Sequence, residues 1–122
     1  MTLDTAETML VDKGGVRMAF DIEAATRAIN SYVADVKNTL PIDRVFLFGS
    51  YANGTANEQS DIDLCFFSCG FENQPSIDIM TQLFRLTRKY KGIDIEPRGF
   101  PTSELENDNP FVKEILRTGL EL

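Results

Sequence analysis

A chain of 122 residues, 43% of them apolar and 10% aromatic, is the size of one domain and too rich in core-forming side chains to be disordered. Its formal net charge of −7, with no long Lys/Arg tract, argues against broad electrostatic binding to nucleic acid or an anionic membrane and leaves a neutral or basic partner. No apolar stretch reaches the roughly 20 residues of a bilayer span, and the opening MTLDTAETML lacks the basic-then-apolar order of a secretory signal, so a cytoplasmic protein is expected.

Residues 1–20 show no sustained period, and the turn signal at Asp12 to Gly15 suits an N-terminal arm or short hairpin before a single domain over 21–122. From Asp21, the apolar residues Ile22, Ala25, Ile29, Val33, Val36 and Leu40 recur at three- and four-residue steps, predicting an amphipathic helix that stops before Pro41. Arg44 to Gly49, RVFLFG, reads as a short strand covered on both faces. Asp61 to Ser68, DIDLCFFS, alternates acid with aliphatic before turning apolar, a second strand whose first residues emerge at an open end. Between these strands the chain has room for one helical turn after Gly49 but not for a full crossover helix.

Ile77, Met80, Leu83, Phe84, Thr87 and Tyr90 mark a second amphipathic helix ending near Gly92. Gly92 to Pro97, GIDIEP, predicts a strand with Asp94 and Glu96 on one face, which Pro97 either closes or assigns to a sheet edge. The last helix is well punctuated by an Asp/Asn cap, Pro110 at its first position and Gly119 past its end. Cys65 and Cys69 come without any histidine, so a zinc site lacks ligands; two reduced thiols, Cys65 buried, are expected. Phe66, Phe67, Phe84 and Phe111 read as core. Arg85, Arg88, Lys89 and Lys91 could hold an acidic nucleotide or partner, although cations facing water at a helix C-terminus are the commoner arrangement.

Two features carry chemistry. A strand that ends in Gly49-Ser50 and turns toward a helical start can cradle an anion, phosphate above all: Gly49 permits close backbone approach, Ser50 offers a hydroxyl and Gly54 lets the loop turn. Asp61 and Asp63 share one strand face about 6.6 Å apart, close enough to reach shared metal ions, and hard oxygen donors suit Mg²⁺. Two such ions can activate an attacking oxygen and steady a leaving phosphate. Each feature alone is more often a turn or a solvated strand end. Glu96 and Asp94 both qualify by parity as a third acid, and periodicity does not choose between them.

Gly49-Ser50, ten intervening residues and then Asp61-x-Asp63, with Gly54 and Ser60 to Leu64 filling out a G-S-x-x-x-G and S-D-I-D-L pattern, resembles the minimal nucleotidyltransferases of the DNA polymerase beta-like superfamily. The resemblance runs from about Ile22 to Glu96 in element order, and the closing NPFVKEILRTG is similar to the tail of some small members. It implies an α+β fold with a small mixed β-sheet and helices packed against it. It also implies a nucleotide held around Gly49, Ser50, Gly54 and Ser60, and two Mg²⁺ ions held by the catalytic acids Asp61, Asp63 and Glu96, with Asp94 as the alternative third acid. Transfer of a nucleoside monophosphate, most often AMP from ATP, to a hydroxyl is the implied reaction. Many relatives carry a basic residue where this chain has Asn53. Because 122 residues leave no space for a separate substrate domain, the implied acceptor is another protein, and the family precedent is a HEPN-type toxin modified by its antitoxin, within a homo- or hetero-oligomer. A binding module that neutralises its partner by contact alone, and a transferase acting on a small molecule, are the competing expectations.

Overall fold

The structure is a computed structural model that describes residues 21–122; the arm or hairpin expected over 1–20 lies outside the described residues. Helix α1 (Ile22–Thr39) starts where the Asp21 carboxylate accepts a hydrogen bond from the Ala24 N–H at 2.9 Å, satisfying one of the donors a helix start leaves over. Its predicted stripe is buried from Ile22 to Val36, joined by Ala28 and Tyr32, while Leu40 caps the end half-buried. Strand β1 (Ile42–Phe48), the helical turn α2 (Ser50–Asn53), strand β2 (Ile62–Ser68) and a 3₁₀ turn (Cys69–Phe71) follow. Helix α3 (Ser76–Arg85), strand β3 (Ile95–Pro101), a second 3₁₀ turn (Thr102–Leu105), helix α4 (Pro110–Thr118) and the two-residue strand β4 (Leu120–Glu121) complete the chain.

The sheet has the order β3-β2-β1-β4. β1 runs antiparallel to β2 and β4, and β2 parallel to β3, with α3 supplying the crossover that a parallel pair needs. This is the mixed sheet with helices that the sequence predicts. Successive side chains of a strand point to opposite faces, which explains the consecutive apolar residues of β1 and β2. Val45, Leu47, Ile62, Leu64 and Phe66 enter one core with the α1 stripe and with Ile79 and Leu83 of α3. Phe46, Cys65 and Phe67 enter a second core with Val112 and Ile115 of α4. Burying each such large side chain contributes about 1.5–3 kcal/mol. The Tyr32 hydroxyl, held above its usual pKa range chiefly by burial, donates to the Leu83 carbonyl at 2.7 Å and ties α1 to the end of α3.

Four details differ from the sequence reading. α3 stops at Arg85 rather than near Gly92, because the chain unwinds to bring the Tyr90 hydroxyl onto α1, 2.5 Å from the Asp35 carboxylate and 3.0 Å from Ser31 Oγ. β3 begins at Ile95 and continues through Pro97 to Pro101; among the described residues it is an outer strand, with no partner on one side of its backbone to lose. β4 pairs Leu120 with Leu47 and Glu121 with Phe46, a strand too short to announce itself by periodicity. Phe66 and Phe67 are buried as expected, but Phe84 and Phe111 keep 39% and 38% exposure. No helix among the described residues is long and apolar enough to cross a membrane.

Candidate active site

The sheet register brings the two halves of the sequence pattern together. In the antiparallel β1–β2 pair, Phe48 lies opposite Asp63, so the chain leaves β1 at Gly49 directly beside the second aspartate. Gly49 adopts φ +76° and ψ −153°, a conformation open essentially to glycine. A Cβ there would run into the Asp63 Oδ2 and stand 3.3 Å from its Cγ. The absence of a side chain at 49 is what lets the turn and the carboxylate touch. Beyond it, the Ala52 and Asn53 N–H groups donate to the Gly49 carbonyl, and Gly54, in the left-handed region at φ 83°, ends the helical turn.

On its other side, Asp63 pairs with Glu96 across the parallel β2–β3 ladder. Asp63 is half-buried while Asp61 and Glu96 are exposed. Burial first, then the charges of Asp61 and Glu96, push the Asp63 carboxyl above its usual pKa of 3.8, and Arg98 partly offsets them. Asp94 exerts no comparable influence on it; its backbone carbonyl instead accepts the Ile62 N–H at 2.8 Å, one step before the ladder. The sheet thus answers what periodicity left open: of the two acids with the right parity, Glu96 stands next to Asp63.

These acids lie on the α4 side of the sheet, continuing the row Asp61, Asp63, Cys65, Phe67 past the end of the apolar cover. Among the described residues, no three acid or thiol side chains are gathered closely enough to enclose a cation as they stand. Their chemistry nonetheless suits Mg²⁺: hard oxygen donors whose mutual repulsion a divalent ion would relieve. Asp61 and Glu96 make no hydrogen bond or ion pair among the described residues that would hold them back.

The remaining sequence candidates fall into two groups. Ser50 heads the helical turn, its hydroxyl engaged by no described group. Ser60 is committed locally: its Oγ accepts the Asn57 N–H at 2.9 Å, closing the turn that delivers Asp61. Asn53 is also committed, its side-chain oxygen accepting from the Thr55 N–H at 3.1 Å and hydroxyl at 2.6 Å. One residue the sequence reading passed over is Arg98, which follows Glu96 by two and so shares its face. The alternation carried that signal, but a strand expected to end at Pro97 hid it.

Comparisons with known proteins bear on the family and the fold. A profile of the family described as "Nucleotidyltransferase domain" matches residues 29–116. Among solved structures, one from Sulfolobus solfataricus described as a "putative nucleotidyltransferase" superposes with a TM-score of 0.59 at 23% identity, covering 89% of each chain. At that identity the likeness is one of fold.

Proposed function

The chain belongs to the nucleotidyltransferase domain family, and on that premise we propose that it transfers AMP from ATP, with Mg²⁺, to a hydroxyl of a partner protein in the cytoplasm, as the antitoxin of a toxin–antitoxin pair with a HEPN-type toxin. The observation that carries the chemistry is the contiguity of Gly49, Asp63 and Glu96 across three neighbouring chain segments.

In this reading the turn at Gly49 and Ser50 receives the phosphates, and Asp61, Asp63 and Glu96 hold the metal. Bound Mg²⁺ supplies positive charge for the triphosphate and for the leaving pyrophosphate. The acceptor oxygen bonds to the α-phosphorus as the bond from that phosphorus to the bridging oxygen breaks. Pyrophosphate carries away the electron pair, and the acceptor proton passes to a carboxylate of the triad.

The test is to incubate the protein with α-labelled ATP, Mg²⁺ and the product of the adjacent gene, beside Asp61→Asn and Asp63→Asn. Label moving to the partner, lost in both variants while the complex still forms, is the expected result. Neutralisation of the partner without any transfer, unchanged in both variants, would reduce the protein to a binding module. Label in a small molecule with no protein acceptor would remove the antitoxin role.

A further inference from the structure

A triphosphate brought beside three carboxylates needs positive charge besides that of metal ions. The stretch that forms the turn and the aspartate pair offers none: between Arg44 and Arg85 the chain contains neither lysine nor arginine. Arg44 does lie on the same sheet face, but its guanidinium is engaged by both oxygens of Glu121, at 2.7 and 2.8 Å. Asn53, in the turn itself, is neutral and bonded to Thr55.

Arg98 is placed differently. It extends from β3 two residues after Glu96, and the ladder sets it opposite Cys65, two residues after Asp63. Its guanidinium lies 5.4 Å from the centre of the Phe111 ring, and Phe111 in turn stands 5.6 Å from Phe48, the residue before Gly49. No carboxylate pairs with it among the described residues. Asp63 and Glu96 share its face, yet the side chain is stacked on an aromatic ring and its donors reach no acceptor among the described residues.

We propose that Arg98 is the phosphate-binding cation of this site, gripping the β- and γ-phosphates of the nucleotide while Phe111 keeps its guanidinium plane in place. This inference rests on the nucleotide reading above and adds a residue to it. A guanidinium fork matches the paired oxygens of a phosphate, which an ammonium engages only as a point charge. The ladder sets Arg98 one pair beyond Asp63 and Glu96 on their face of the sheet, which puts its positive charge beside the same space.

Titration calorimetry with Mg²⁺ and α,β-methylene-ATP, and separately with AMP, tests it. Arg98→Ala should bind the triphosphate analogue about tenfold more weakly and AMP almost unchanged. Arg98→Lys should fall between, and Asn53→Arg added to Arg98→Ala should restore binding by returning a cation to the turn. Triphosphate binding by Arg98→Ala equal to the unmutated protein, or equal losses for triphosphate and AMP, would overturn the role of Arg98 alone. An unmutated protein that binds neither nucleotide would overturn the nucleotide reading itself.

Discussion

Gly49 shows how much of the site depends on one missing side chain. Its φ of +76° costs an alanine about 1–3 kcal/mol, and the added methyl would meet the Asp63 carboxylate. Gly49→Ala is therefore expected to unfold at lower urea concentration and to lose nucleotidyl transfer beyond what its lower stability explains, as parallel denaturation and transfer assays would register. Asp63 has the opposite sign. Its folded pKa is raised, so its contribution to stability is present at low pH and is lost as pH rises through that value. Without metal at neutral pH, Asp63→Asn should melt no lower than the unmutated chain. Added Mg²⁺ should raise the melting temperature of the unmutated chain only, a contrast that thermal scans read without any substrate.

At the scale of elements, the link between α1 and the segment after α3 can be read out through pH. The Tyr90 hydroxyl, then the Lys89 ammonium at 3.0 Å, hold the Asp35 carboxyl below its ordinary value of 3.8. A depressed carboxylate stabilises the fold above its unfolded value and loses that contribution as pH falls through the folded one. Tyr90→Phe should melt lower at pH 7, and its gap to the unmutated protein should close in the acid range below 3.8, as melting curves across pH would measure. The same segment marks where sequence reading ran short. Of the apolar stripe expected from Ile77 to Tyr90 only Leu83 is buried, Ile77 is 72% exposed, and Ile79, off the stripe, turns inward instead; Tyr90 meets Tyr32 edge-on at 5.9 Å from a turn, not from a helix. With apolar residues at 77, 79, 80, 83 and 84, three- and four-residue spacing admits more than one face of the same helix, and it does not say which backbone conformation brings a residue inward. Likewise Pro97 was legible as an edge signal, whereas the continuation to Pro101 follows from ladder partners in β2 that lie some thirty residues away.

Across the whole molecule, β2 divides two cores, and its side chains report on each. Cys65 lies wholly buried on the α4 side, its thiol pushed up to about 12 by burial, while Cys69, past the strand end, is exposed. A thiol reagent should therefore label Cys69 rapidly in the native protein and reach Cys65 only when the sheet opens, so the second reaction should track global unfolding. The two-sided apolar pattern of β1 and β2 made this layered arrangement legible in advance, and the spacing of Gly49-Ser50 to Asp61-x-Asp63 singled out two segments that the sheet sets side by side. Which acid neighbours Asp63 was not legible, because Asp94 and Glu96 share a parity and only strand register separates them. Register is a property of two strands together, and one strand's sequence does not contain it.

That distinction makes one experiment decisive. Transfer of labelled AMP from ATP to the adjacent gene's product, measured for Asp63→Asn, Glu96→Gln and Asp94→Asn under identical conditions, should collapse in the first two and persist in the third. Activity that survives Glu96→Gln and vanishes in Asp94→Asn, or that is equal in all three, would contradict a site built around the Asp63–Glu96 pair.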